Sequence, residues 1–175
     1  ALDLLSRTVA KQGDYAAARD YAERALALTP DEPLLRGALH DDVGVASGYL
    51  GDSATSREHL KQAAARHQQH GQPHAQARNA IYLALANDRD GNMREAAEGF
   101  AEALRIAEDH GAADLVVYAA QQLATATHQL GELERAAGAY ERALRLAVAL
   151  GDRSREADLR ANLAKLEADI GLLEQ

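Results

Sequence analysis

Apolar and polar positions follow the spacing of α-helices along this chain, in segments of about 16–18 residues separated by short turns. A glycine stands at every twentieth position from Gly51 to Gly171. Glycine adopts positive φ angles without strain, so this spacing marks points at which the backbone leaves a helix. The pattern predicts helices over about 2–11, 15–28, 34–49, 54–70, 73–89, 93–109, 113–129, 133–149 and 153–169.

Two helices and their turns make a unit of 40 residues, in which large and small residues recur at fixed places. The large column holds Leu5, Val43, Leu83, Leu123 and Leu163, and the next column holds Ser6, Gly44, Ala84, Ala124 and Ala164. Such pairing lets two helices interlock, and a period of this size indicates a helical repeat array. We predict a single repeat domain over 1–175, with units at about 1–33, 34–73, 74–113 and 114–153, a terminal helix at 154–170 and a short tail.

The turns also contain residues that favour helix starts. Ser53 and Ser154 are expected N-caps, and Asn92 begins a sequence typical of a capping box. Pro33 and Pro73 suit the first helical turn, where a missing N–H costs nothing.

These columns resemble the tetratricopeptide repeat, in which an alanine is followed four residues later by an aromatic residue and a proline closes the unit. Ala96 with Phe100 supplies that step, and Pro30 stands at the closing position of the first copy. The 40-residue period exceeds the usual length of about 34. The resemblance implies an all-α fold, a right-handed α-solenoid of antiparallel helix pairs, in which Gly171 turns the chain as Gly51 does.

Composition limits the classes of protein that need to be considered. Alanine dominates an apolar fraction of 47%, aromatic residues make up 4%, and there is no cysteine, which excludes disulfides and thiol nucleophiles. No apolar run approaches the ~18–20 residues that span a bilayer. The net charge is −8, with lysine and arginine interleaved among acidic residues, unlike the basic stripe of a nucleic-acid-binding surface. We expect a cytoplasmic protein that binds neither nucleic acid nor a membrane.

Few residues suggest chemistry. His67, His70 and His74 form a cluster, but it crosses the predicted helix end at Gly71, so we interpret it as a solvated helix terminus and not as a metal site. The glycine-rich segment 44–51 lacks the preceding strand and the lysine of a phosphate loop. With no catalytic motif present, we expect no enzyme, no catalytic residues, no cofactor and no metal.

The resemblance implies that the first helix of each pair lines a concave groove. The positions it assigns there include Arg7, Lys11, Asp42, Val45, Tyr49, Arg78, Tyr82, Leu85, Arg89, Tyr118, Gln122, Thr125, Gln129, Asn162 and Lys165. Tyrosine is enriched at protein interfaces because it offers apolar area and a polar tip. The candidate binding residues are therefore Tyr49, Tyr82, Tyr118, Arg78, Arg89, Gln122 and Gln129. Alternatively, these rings only cover neighbouring helices.

Three further tyrosines, Tyr15, Tyr21 and Tyr140, are expected to be structural. The charged clamp by which some family members hold a terminal carboxylate has no counterpart here. We therefore expect non-catalytic binding of a protein or peptide segment in the groove. The alternative is a regulatory or oligomerisation domain of a larger bacterial signalling or transcription-regulating protein. Its partner would then be another domain or another copy of the chain, with self-association through the ends of the array.

Overall fold

The computed structural model describes residues 1–29 and 32–173, the last two through their backbone. Pro30, the predicted closing proline, and Glu174 and Gln175 of the predicted tail lie outside the described residues. The described part of the chain contains nine helices and no strand. They are α1 (Leu2–Lys11), α2 (Tyr15–Leu28), α3 (Pro33–Tyr49), α4 (Ser53–Gln69), α5 (Pro73–Arg89), α6 (Met93–Asp109), α7 (Ala113–Gln129), α8 (Leu133–Leu150) and α9 (Arg153–Leu173).

The all-α prediction is confirmed, and most helix ends agree with the prediction to within a residue. Seven glycines, at 13, 51, 71, 91, 111, 131 and 151, have φ angles between 59° and 85°. At Gly51 the amide of Asp52 donates to the carbonyl of Ser47 at 2.9 Å, and that of Gly51 donates to Gly48 at 3.2 Å. These two bonds form a Schellman motif, which satisfies the last carbonyl groups of α3.

Gly171 does not turn the chain, and that prediction is wrong. It lies inside α9, which runs to Leu173, and it has no positive φ angle. Glycine permits a left-handed turn but does not impose one, and two leucines, which are good helix formers, follow Gly171.

Aspartate caps the helix that follows the glycine in three of the turns. The caps are Asp14, Asp52 and Asp152, whose carboxylates accept the amides of Ala17 at 3.0 Å, Thr55 at 3.1 Å and Arg155 at 3.1 Å. The predicted caps Ser53 and Ser154 lie inside their helices, and the side chain of Asn92 makes no capping bond. The glycine before each aspartate fixes the position of the cap by ending the preceding helix. Pro33 and Pro73 begin their helices, as predicted.

The chain divides into two compact units, Ala1–Ala86 and Asn87–Gln175. In the first, the buried residues Ala22, Ala25, Leu39 and Val43 form an apolar cluster between α2 and α3. In the second, Phe100, Tyr140, Leu159 and Leu166 are the large buried side chains, with alanines packed beside them. The single domain and the right-handed twist stay predictions.

Two glycines of α3 are required by close packing. A Cβ atom on Gly44 would lie 2.7 Å from Cγ of Leu60, and one on Gly37 would lie 2.9 Å from Cε1 of His67. Side chains do not approach so closely, so these glycines allow α3 to lie against α4. The small column that contains Gly44 therefore has the role that the sequence pattern predicts.

Candidate functional site

A pocket of about 360 Å³ opens on the first unit, between side chains from α1, α2, α3 and α5. Its charged lining residues are Arg7, Lys11, Asp41, Asp42 and Arg78, its tyrosines are Tyr15 and Tyr82, and its apolar residues include Leu4, Val45 and Ala46. Six of these lining residues occupy positions that the resemblance assigns to the groove, namely Arg7, Lys11, Asp42, Val45, Arg78 and Tyr82. Three first helices thus contribute to one surface in this unit.

Tyr15 and Tyr49 form a stacked pair at the side of this pocket. Their ring centroids lie 4.1 Å apart, with an angle of 5° between the planes. Tyr15 lines the pocket, although the sequence predicted a structural role for it. Tyr49, predicted to bind, is 52% exposed and reaches the pocket only through the ring of Tyr15.

Asp41 forms the floor of the pocket and is almost completely buried. Its Oδ1 accepts a hydrogen bond of 2.7 Å from Nδ2 of Asn79, which also donates to the carbonyl of Leu60 at 3.0 Å. Its Oδ2 accepts one of 2.8 Å from Nε2 of His67. Both oxygens are therefore engaged by residues of α4 and α5, which satisfies a carboxylate that burial would otherwise penalise.

His67 completes this network, and the prediction that it lies at a solvated helix terminus is wrong. Its side chain is 1% exposed, and Nδ1 donates to Oε1 of Gln72 at 2.9 Å. Burial by itself lowers the pKa of His67, but the hydrogen bonds to Asp41 and Gln72 outweigh burial and raise the pKa above 6.5. A protonated imidazole donates from both nitrogens, which is what these two acceptors require.

Helical spacing contained the signal for this residue. Ser56, Leu60, Ala63 and His67 follow one another at intervals of three or four residues, and all four are buried on the same face of α4. Grouping His67 with His70 and His74 obscured that face.

A second acidic residue, Asp42, lies beside Asp41 on the pocket wall. Nε of Arg7 donates to its Oδ2 at 3.1 Å. Burial raises the pKa of Asp42 to about 6, although the charge and hydrogen bond of Arg7 act in the opposite direction. Arg78, from α5, lies 3.7 Å from Oδ2 of Asp41, which is beyond hydrogen-bonding distance, and its side chain is 37% exposed.

A histidine pair joins α3 to α4 away from the pocket lining. Nδ1 of His40 lies 3.2 Å from Nδ1 of His59, so one ring donates and the other accepts. Burial lowers the pKa of His40 to about 4, and the positive charges of His59, Arg66 and Arg36 act in the same direction. Both rings are therefore neutral near pH 7 and serve as packing groups between the helices.

The other candidate residues belong to the second unit. Tyr118 is half-buried, and the guanidinium of Arg155 on α9 lies 5.5 Å from the centre of its ring. Gln122 is also half-buried, whereas Arg89 and Gln129 are exposed. The structure assigns none of these four to the pocket of the first unit.

Across residues 1–29 and 32–173, no three His, Cys, Asp or Glu side chains are arranged to hold a metal ion. None of the helices in those ranges combines the length and apolar character needed to cross a bilayer.

Several solved structures resemble this fold. Aspartyl phosphate phosphatase F from Bacillus subtilis gives a TM-score of 0.87 at 14% identity, over 91% of this chain and 42% of its own. A Rap protein complexed with Competence and Sporulation Factor gives 0.80 at 13% identity, over 99% and 49%. BtubC from P. vanneervenii gives 0.78 at 28% identity, over 90% and 66%. This chain thus spans less than half the length of the first two proteins and just under two thirds of the third.

The sequence itself gives a more limited match. Residues 1–32, which contain α1 and α2, match the family model described as Tetratricopeptide repeat. No curated protein matches the chain in sequence. The helix pairs that follow repeat the same small and large columns, and the fold is that of an all-α repeat protein. The match to the tetratricopeptide repeat thus extends over α1 and α2, and the chain as a whole is similar to proteins of that kind in its all-α repeat fold.

Proposed function

We propose that this chain binds a protein or peptide segment in the pocket of its first unit, without catalysing a reaction. The observation that carries the proposal is the lining itself, which combines two tyrosines and several apolar side chains with charged groups. Such a mixture of apolar area and directional polar groups suits a peptide, whose backbone and side chains need both. The proposed cytoplasmic location is consistent with the absence of cysteine.

The similar structures support binding by this fold. One of them is a Rap protein solved in complex with Competence and Sporulation Factor. Another is named as an aspartyl phosphate phosphatase, so the fold by itself does not decide between binding and regulation of a phosphorylated partner.

The carboxylates of the pocket support a non-catalytic role. Asp41 bonds His67 and Asn79 through both of its oxygens, and Asp42 bonds Arg7. A general acid or base must exchange a proton with the substrate, whereas three of these four carboxylate oxygens already accept hydrogen bonds from the protein.

Selection from a library of displayed random peptides tests the proposal. We expect the wild-type chain to enrich a family of related peptides. Tyr82→Ala should weaken binding of a selected peptide by about tenfold or more, because tyrosines that become buried in an interface often contribute much of its binding energy. Tyr21→Ala is the matched control, because Tyr21 lies in the same unit and does not line the pocket. Equal loss in both variants, or no enriched peptide, would contradict the proposal.

A second candidate function is self-association, and one residue favours it. Leu5 is 45% exposed, whereas Val43, which holds the same place in the next unit, is completely buried against α2. Light scattering over a range of concentrations tests this candidate. A dimer that Leu5→Lys abolishes and Leu28→Lys retains would favour it, because Leu28 is a leucine elsewhere in the first unit that is even more exposed, at 72%.

A further inference from the structure

We propose that the segment bound in this pocket is acidic, carrying aspartate or glutamate side chains, and that Arg78 is the side chain that selects it. The proposal rests on the proposed function and adds the chemistry of the ligand.

Positive charge exceeds negative charge on the lining. Arg7, Lys11 and Arg78 supply three cations, against the two carboxylates of Asp41 and Asp42. Directly behind Asp41, His67 adds a further positive charge whenever it is protonated. The whole chain has a net charge of −8, so the pocket is a local exception on an acidic protein.

Both carboxylates already have partners within the protein. Both oxygens of Asp41 accept hydrogen bonds, and its side chain is only 3% exposed. Asp42 is 19% exposed and holds Arg7 at 3.1 Å. A cationic segment would therefore have to compete with an existing partner of each carboxylate, which disfavours a basic ligand.

The guanidinium of Arg78, in contrast to the two carboxylates, is only loosely paired. Its ion-pair partner is Asp41, a carboxylate that is already bonded to His67 and Asn79, while Asp42 acts on it through charge. The 3.7 Å separation leaves the guanidinium without a hydrogen bond to Asp41. Five N–H donors on a partly exposed side chain match a carboxylate, which accepts two of them side by side. Lys11, exposed on α1, adds a second cation on the same lining.

Apolar groups near Arg78 favour a ligand with apolar residues next to its acidic residue. Tyr82 lies one helical turn beyond Arg78 on α5, and Leu4 and Val45 line the same pocket. An acidic residue flanked by apolar or aromatic residues fits these neighbours, because the apolar contacts exclude water from the ion pair.

The test uses the displayed random peptides of the previous section, with their carboxyl ends amidated when they are synthesised. We expect the wild-type pool to be enriched in aspartate and glutamate next to apolar residues. For one selected peptide, replacing its glutamate by glutamine should weaken binding by about tenfold, since one charged hydrogen-bonded pair is lost. Fluorescence anisotropy of the labelled peptide gives the dissociation constant.

Matched variants assign the effect to Arg78. We expect Arg78→Gln to bind the glutamate and glutamine peptides about equally, while Arg78→Lys retains part of the preference. Arg24→Gln is the control, because Arg24 is an exposed arginine of the first unit that does not line the pocket. Circular dichroism checks that each variant is folded, and the wild-type comparison of the two peptides stands even where a variant is not.

The outcomes separate this inference from the proposed function. If no peptide is enriched, both fail. If peptides are enriched without acidic residues, or are enriched in lysine and arginine, the inference fails and the proposed function stands. If the acidic preference survives Arg78→Gln in a folded protein, Arg78 is not the selecting residue and the inference fails.

Discussion

At the scale of single residues, His67 is the side chain on which we expect the stability of the fold to depend most strongly. It is the partner that balances the buried charge of Asp41. We expect His67→Leu to lower the free energy of unfolding by about 3–5 kcal/mol, because it leaves an unpaired charge in the interior. Denaturant unfolding measures this loss. His70→Leu, in the exposed position after α4, is the control and should change it by less than about 1 kcal/mol.

The same pair predicts how stability depends on pH. The folded-state pKa of His67 lies above 6.5, so its contribution is complete below pH 6.5 and is lost as the pH rises through the folded value. Burial raises the pKa of Asp42 to about 6 and lowers the pKa of His40 to about 4. Both groups therefore change the stability of the fold mainly below pH 6.5, and in opposite directions.

We therefore expect the free energy of unfolding to fall as the pH rises above 6.5 in the wild-type chain. Asp41→Asn should reduce that slope, since the carboxylate that raises the pKa is gone. An equal slope in both proteins would show that another group titrates in the window.

The residues of this network differ in how far sequence could predict them. The burial of His67 follows from its spacing after Leu60 and Ala63, and could have been predicted. Its partner could not, because Asp41 lies 26 residues earlier in the chain, and many acidic residues stand at comparable distances. Helix periodicity gives the face of a side chain but not the residue that meets it.

At the scale of helices, the close approach of α3 to α4 depends on Gly44. We expect Gly44→Ala to lower the free energy of unfolding by about 1–3 kcal/mol, because its Cβ would overlap Leu60. Gly138→Ala is the matched control inside α8, where nothing lies within 4 Å of the added atom. That variant should gain about 0.5–1 kcal/mol, the usual difference between alanine and glycine in a helix. Thermal unfolding of the two variants compares them directly, and a loss of similar size in both would contradict the packing role of Gly44.

Helix positions were the most predictable feature of the chain, because seven of the nine helices in the described residues are marked twice. Apolar spacing defines the helix, and a glycine with a positive φ angle ends it. Where only the glycine was present, at Gly171, the prediction failed. The cap predictions failed for a different reason. Asp52 is the N-cap of α4, and Ser53, the predicted cap, is the residue that follows it.

At the scale of the whole molecule, net charge and pocket charge have opposite signs. An acidic segment is repelled by a chain of net charge −8 as it approaches and attracted by the pocket once it arrives. We expect the association rate of the acidic peptide to rise between about 0.05 M and 0.5 M salt, as repulsion is screened, and the dissociation rate to rise as well. Stopped-flow measurements separate the two rates. An association rate that falls with salt would show that the pocket, and not the net charge, governs the approach.

The stacked pair of Tyr15 and Tyr49 affects the ultraviolet spectra of the protein. The chain has six tyrosines and no tryptophan, so its near-ultraviolet absorption and emission come almost entirely from tyrosine. Two of these rings lie parallel at 4.1 Å, and one of them lines the pocket. Rings at this distance couple electronically, so a segment that displaces Tyr15 changes the circular dichroism and the fluorescence of the pair. The protein thus carries an intrinsic optical probe beside its pocket and needs no added label.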